Sequence, residues 1–209
     1  MSSPVDRRRA RGIDKREQIL DAAAALIGRI GYAAASTRAV ATEADVPLSL
    51  VHYHFGSRGG LLAAVLEREN ARLLERQRAL FAGEGTLAER WRKAAAFLDE
   101  DLDSGYVRML WELWAAGLAD PALAERWRAS VMGWIELIDE TITRWAETHD
   151  VALPLSTRTL ANLVASVYQG IEVDLLAAGG NDLRGHRELL ATLGDLIESV
   201  EARATQPVG

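Results

Sequence analysis

Apolar residues recur along this chain at the three-and-four spacing of one helix face, and polar or glycine-rich clusters interrupt that rhythm at intervals. Asp14-Lys15-Arg16-Glu17 has the form of a capping box. Ile19, Leu20, Ala23, Leu26, Ile27 and Ile30 then keep helical spacing until Gly31 supplies a stop. Two short segments follow, with Val40, Ala41 and Ala44 as the apolar side of the first and Val51 and Phe55 as that of the second. A fourth helix is expected from about Ser57, with Leu61, Leu62, Val65, Leu66 and Leu73 on one face, stopping at Gly83-Glu84-Gly85. Thr86 with Glu89 starts another, Asp103-Ser104-Gly105 separates it from the next, and Asp120-Pro121 places a cap before a first-turn proline. A long helix from Pro121 toward Thr148, one from Ser156 to Ala178 and a last one from Asp182 to about Arg203 bring the count to about nine. The single strand-like stretch, around Val151 to Leu155, contains Pro154, so the expected fold class is all-α.

Residues 36 to 55 have the size and layout of a DNA-reading helix-turn-helix: two short helices joined by a tight turn. Once the apolar sides are docked, Thr37, Arg38, Leu48, Ser49, His52, Tyr53 and His54 remain on the free sides. That mixture is able to bind phosphate, hydrogen-bond base edges and touch a thymine methyl. Val51 is expected in the core, while Leu50 is left open between core and surface.

Composition changes the picture in two respects. The chain carries 24 basic and 30 acidic residues, a net charge of -6, which looks wrong for a polyanion binder until it is divided. Through residue 60 there are nine Lys and Arg against six Asp and Glu, net +3, leaving 15 against 24 and net -9 for the remainder. A basic end on an acidic body offers one surface to DNA and keeps the rest off it. The absence of cysteine excludes disulfides, thiol catalysis and cysteine-ligated zinc. With no apolar run long enough to span a bilayer, no membrane association is expected and the chain is placed in the cytoplasm.

The leading helix ending in Gly31-Tyr32, the reading motif, Tyr53-His54-Phe55-Gly56-Ser57-Arg58 and Leu61-Leu62 together resemble the TetR family of ligand-responsive transcriptional regulators, across residues 15 to 66. The resemblance implies an N-terminal three-helix DNA-binding unit, a helical body that binds a small molecule, and pairing of two chains through the last two helices. On that division residues 1–13 form a flexible basic arm, 14–60 the DNA-binding domain and 61–209 the ligand-binding and dimerisation bundle. The resemblance puts Thr37 and Arg38 where the family contacts phosphate or base, with Arg38 the first choice for base readout. Arginine's paired hydrogen bonds to guanine O6 and N7 are the commonest specific contact in the major groove. Pro47, Leu48, Ser49, His52, Tyr53 and His54 fall on the recognition helix, and Arg58 takes the place of the family's usual lysine at a phosphate. Three departures stand out. Asp45 replaces the usual turn glycine, Pro47 replaces a capping serine, and Gly59-Gly60 predicts a loosely formed start to the fourth helix. The arm Arg7-Arg8-Arg9-Ala10-Arg11 is either a minor-groove or phosphate contact or a solubilising tail.

Five of the six tryptophans lie between residues 91 and 134. Such side chains at helical spacing are usually core, yet together they also suit a mostly apolar pocket with a few polar groups. Trp91, Tyr106, Met109, Trp111, Trp114 and Trp134, with Asn162, Ser166 and Gln169, are the candidate ligand residues, and tryptophan walls near carboxylates suit an aromatic or cationic lipophilic ligand. For pairing of two copies, Leu163, Val167, Gly170, Ile171 and Leu175 join Leu189, Leu193, Leu196, Ile197 and Val200. Reading a palindrome needs two heads about 34 to 36 Å apart or more, which favours a homodimer. Neither a cofactor nor a metal is expected, and His52 and His54, about 200° apart on a helix, cannot chelate one ion. With no phosphate loop, nucleotide fingerprint or nucleophile motif, an enzyme is not expected. The alternative is a helical ligand-binding or scaffold protein without sequence-specific DNA binding.

Overall fold

The computed structural model describes the backbone of residues 4–204 and the side chains of residues 14–204. Among the described residues there are nine α-helices and no strand. They are α1 (Pro4–Ile30), α2 (Thr37–Glu43), α3 (Leu48–Phe55), α4 (Arg58–Ala82), α5 (Leu87–Asp103), α6 (Tyr106–Gly117), α7 (Pro121–His149), α8 (Thr157–Ala177) and α9 (His186–Ala204). The all-α expectation and the helix count hold, but α1 starts at Pro4, well before the expected capping box at Asp14. The side chains of the basic arm lie outside the described residues. None of the helices searched is long and apolar enough to cross a membrane.

The helices group into two compact units. The first comprises the chain through Glu69 together with Ser104–Trp127, and the second comprises Asn70–Asp103 with Arg128 onward, so α4 and α7 each contribute to both.

In the first unit the apolar stripe of α1 (Ile19, Leu20, Ala23, Leu26, Ile27) packs on Val40 and Ala41 of α2, Val51 of α3, Leu61, Leu62 and Val65 of α4, and Met109, Leu110 and Leu113 of α6. Ile30, expected to extend the stripe, is exposed instead. The two short helices are held less by propensity than by their ends. The Ser36 side chain accepts the Ala39 N–H at 3.1 Å to cap α2. Asp45 adopts φ 48°, the left-handed geometry that aspartate tolerates, and the Val46 N–H returns to the Ala41 carbonyl. Pro47 is the N-cap of α3 at φ -60° and ψ 140°. The Gln18 amide donates to the Ala44 carbonyl at 2.7 Å and fastens α1 to the turn.

Gly60 does not loosen the start of α4. A Cβ there would lie 2.3 Å from the Phe55 carbonyl oxygen, so glycine allows α4 to begin directly behind α3, and the Ser57 hydroxyl accepts the Gly60 N–H. A second close approach joins α1 to the loop before α6: a Cβ on Gly28 would meet the Ser104 carbonyl at 2.7 Å.

In the second unit, Leu98 of α5, Ile171 and Leu175 of α8 and Leu190 of α9 form one cluster. Ile135 of α7 with Ala161 and Ala165 of α8 forms another. The helix starts read from sequence are realised by hydrogen bonds. Thr86 and Glu89 form a reciprocal capping box at 3.0 and 3.1 Å, and Ser156 accepts the Thr159 N–H. Asp182 caps α9 from outside it, accepting the N–H groups of His186 and Arg187. The Glu201 carboxylate reaches from α9 to the Leu87 and Ala88 N–H groups at the start of α5, and also accepts the Trp145 indole N–H.

Candidate nucleic-acid interface

With Val51 fully buried as the docking residue of α3, the helical period fixes what the other side of that helix presents. Pro47, Ser49, His52 and Tyr53 are exposed, Tyr53 to 79%. Leu48 and Leu50 are half-buried against the core of the first unit, which resolves Leu50 toward the core and reduces the apolar surface of Leu48 available to a thymine methyl. His54 is half-buried between the Tyr53 and Phe55 rings, at centroid distances of 5.1 and 6.0 Å. The exposed tyrosine is thus braced from behind by an imidazole. The His52 ring lies 3.3 Å from the Gly56 carbonyl at the end of the helix.

Arg38, in the first turn of α2, is exposed, while Thr37 beside it is half-buried. The neighbouring cations are less available. Arg29 pairs with Glu43 at 2.8 Å, and the Arg16 guanidinium lies 5.5 Å from the Phe55 ring centre while contacting Glu17. Arg38 is left as the arginine aimed outward from the reading motif.

Arg58 departs from its expected place at a phosphate. Its Nε donates to the Ala35 carbonyl at 3.1 Å, its Nη2 donates to the Tyr32 and Ala33 carbonyls, and the guanidinium sits 4.9 Å over the Tyr32 ring. The loop between α1 and α2 has carbonyls that no helix ladder satisfies, and the planar fork of arginine meets several at once. The Tyr32 N–H in turn donates to the Glu112 carboxylate of α6 at 2.5 Å. Glu112 and Gln18 are thereby fixing residues of the head that spacing alone does not single out, since both contacts join positions far apart in sequence.

Residues 19–65 match the family model of bacterial regulatory proteins of the tetR family. The HTH-type transcriptional repressor KstR of Rhodococcus jostii is 42% identical over 60 residues, 29% of this chain and 28% of that protein. KstR of Mycolicibacterium smegmatis is 40% identical over 71 residues, 34% of this chain and 35% of the relative. The chain thus spans about a third or less of the curated relatives it matches. In this segment the chain is similar to regulators of the TetR family. Over its greater length the fold is shared with a Rhodococcus sp. protein described as a TetR-family transcriptional regulator, at TM-score 0.73 and 23% identity over 88% of this chain and 97% of that one. A transcriptional regulator from Saccharomonospora viridis, solved in complex with choline, superposes at TM-score 0.72 and 23% identity over 88% of this chain and 96% of that one.

Outside the segment that matches the family model, the residues expected to hold a ligand are divided between the two units. Tyr106, Met109, Trp111 and Trp114 lie on α6 in the first unit, where Met109 is buried in the head core and Tyr106 packs against it. Trp111, Trp114 and Trp127 form a triangle of rings with centroids 5.7 to 6.4 Å apart, and Trp114 is 40% exposed. Trp91 in the second unit is a structural tie, its indole N–H donating to the Leu190 carbonyl at 2.8 Å. Asn162 and Ser166 are exposed on α8, and the Asn162 amide is spent on the Arg158 carbonyl one turn back. Gln169 is half-buried, and Trp134 faces Tyr168 at 5.2 Å.

The expected pairing residues divide in the same way. Ile171 and Leu175 are buried within the chain against Leu98 and Leu190, and Val167 packs on them, so these three serve the body's own core. The opposite side of α8 leaves Leu163 52% exposed and Val173 exposed, with Gly170 between them facing open space. On α9, Leu189, Leu196 and Val200 are exposed, while Leu193 and Ile197 are half-buried.

Proposed function

We propose that the chain is a ligand-responsive transcriptional repressor that binds a palindromic DNA operator as a homodimer and is released or repositioned by a small apolar, aromatic or cationic lipophilic molecule. One observation carries the reading: within a segment that matches the tetR family model, α3 presents Ser49, His52 and Tyr53 outward, with Arg38 exposed on α2. These are groups for phosphate anchoring and base-edge hydrogen bonds in a major groove.

The homodimer reading is supported by exposed apolar residues on the last two helices, Leu163 and Val173 on α8 and Leu189, Leu196 and Val200 on α9. Exposed side chains of this kind mark an interaction surface, and a second copy covers them in an isologous four-helix contact. The two reading heads then meet two half-sites of one duplex. Because α4 and α7 each contribute to both units, a ligand that prefers one arrangement of the second unit biases the first. The choline in the S. viridis relative fits an effector of small organic size.

DNA retention across a salt series tests this reading against a helical scaffold without DNA specificity. A regulator holds its own operator at salt concentrations that strip it from scrambled duplex, because base contacts remain when counterion release no longer drives binding. Equal loss from both duplexes as salt rises would contradict it.

A further inference from the structure

The turn that ends α3 has an uncommon backbone. Gly56, the C-cap, stands at φ 70° and ψ -59°, and the Ser57 N–H donates to the Phe55 carbonyl at 2.7 Å. Those angles with that hydrogen bond make a γ-turn of the positive-φ kind, a rare and strained form that glycine enters without a Cβ penalty. A Cβ on Gly56 would meet nothing within 4 Å, so the glycine serves the backbone conformation rather than a close approach. The Gly56 N–H closes the helix on the His52 carbonyl at 2.8 Å, while the Gly56 carbonyl lies 3.3 Å from His52 Nδ1.

This tether fixes the polarity of the imidazole. A carbonyl oxygen only accepts, so the Nδ1 that faces it carries the proton, and in a neutral ring the other nitrogen, Nε2, is then a bare acceptor. His52 is exposed, which leaves Nε2 for a partner outside the chain. By the helical period His52 and Ser49 stand about 60° apart on the side of α3 turned away from buried Val51. In the major groove the amino groups of adenine and cytosine donate, whereas guanine and thymine present only acceptors. A fixed acceptor therefore sorts bases by amino against keto. Arg38 on α2 has the opposite polarity, since a guanidinium donates and never accepts.

Resting on the reading of the chain as an operator-binding regulator, we infer that His52 is a specificity-determining residue whose Nε2 accepts a hydrogen bond from the major-groove amino group of an adenine or cytosine, its polarity set by the Gly56 carbonyl. Guanine or thymine at that position sets an oxygen against the Nε2 lone pair. Two acceptors with no proton between them then both lose water without a matching bond.

The test is selection from a random duplex pool by the full-length chain and by His52→Lys, near about pH 8, where an ordinary imidazole is neutral. The parent should prefer adenine or cytosine over guanine or thymine by about three- to tenfold at one position of each half-site, the ratio that one neutral hydrogen bond provides. Lysine donates only, so His52→Lys should invert the preference at that position and leave the rest of the motif as it was. Replacing the selected nucleoside by its analogue without the amino group, nebularine for adenosine or zebularine for cytidine in their deoxy forms, should weaken the parent by about the same factor more than it weakens His52→Ala. Nitrogen NMR spectra of the free chain, with the His52 ring assigned by its loss in His52→Ala, should show the proton on Nδ1 and a bare Nε2. An unchanged motif for His52→Lys, equal weakening of parent and His52→Ala by the analogue, or a proton on Nε2 would overturn the inference while the regulator reading stands. Absence of any enriched sequence would overturn that reading and the inference with it.

Discussion

Arg58 shows how the same side chain carries different meanings in sequence and in space. Its position after the reading motif suggests a phosphate contact, whereas its guanidinium is committed to the carbonyls of Tyr32, Ala33 and Ala35. Arg58→Ala is expected to destabilise the head by about 2 to 3 kcal/mol, the range for losing charge-assisted hydrogen bonds to partly buried carbonyls. Arg58→Lys should recover only part of this, because an ammonium cannot fork. Thermal melts of the two variants check the order, and a stable Arg58→Ala variant with weakened DNA binding would return the residue to the phosphate role. Asp45 was the reverse case. A residue out of pattern for the turn was legible as tolerable because aspartate accepts positive φ, and φ 48° is what the turn contains. Gly60 was misread because the close Phe55 carbonyl is a tertiary fact that no local propensity carries.

At the scale of elements, the chain's punctuation was its most readable feature. Thr86 with Glu89, Asp120 and Ser156 each cap the helix they precede, since a cap is decided within a few residues. Faces were harder. Ile171 and Leu175 lie on an apolar stripe that serves either the chain's own core or a partner, and periodicity cannot tell these apart; only Leu163 and Val173 on the far side remain available. Distant caps such as Glu201 on α5 were equally beyond reach, because they join residues far apart in sequence. Asp182 offers a test of the capping account. The backbone N–H groups of Arg187 and His186 hold its carboxyl below the ordinary aspartate range, so its stabilisation is full above the unfolded-state value and fades as pH falls through the folded one. Asp182→Ala should therefore melt at lower temperature than the parent at neutral pH, with the gap closing in acid well below about pH 4. A gap that persists unchanged into acid would show that the carboxylate is not responsible.

For the molecule as a whole, the question is whether an acidic body and a basic head act as one dimeric reader of DNA. Leu196 is 57% exposed in the single chain, on the α9 stripe proposed to meet a second copy. Leu196→Asp should shift the chain to monomer in sedimentation velocity without lowering its helix content, and should weaken operator binding although Leu196 is not part of the reading motif. Unchanged dimerisation would place the contact elsewhere. The most direct measurement is selection of bound sequences from a random DNA pool at near-physiological salt, with Arg38→Ala selected alongside. The account predicts a palindromic motif for the parent chain and, for the variant, the same motif relaxed at one position in each half, at a cost of about 1 to 3 kcal/mol. Absence of any enriched sequence, or enrichment of a motif with no two-fold symmetry, would contradict it.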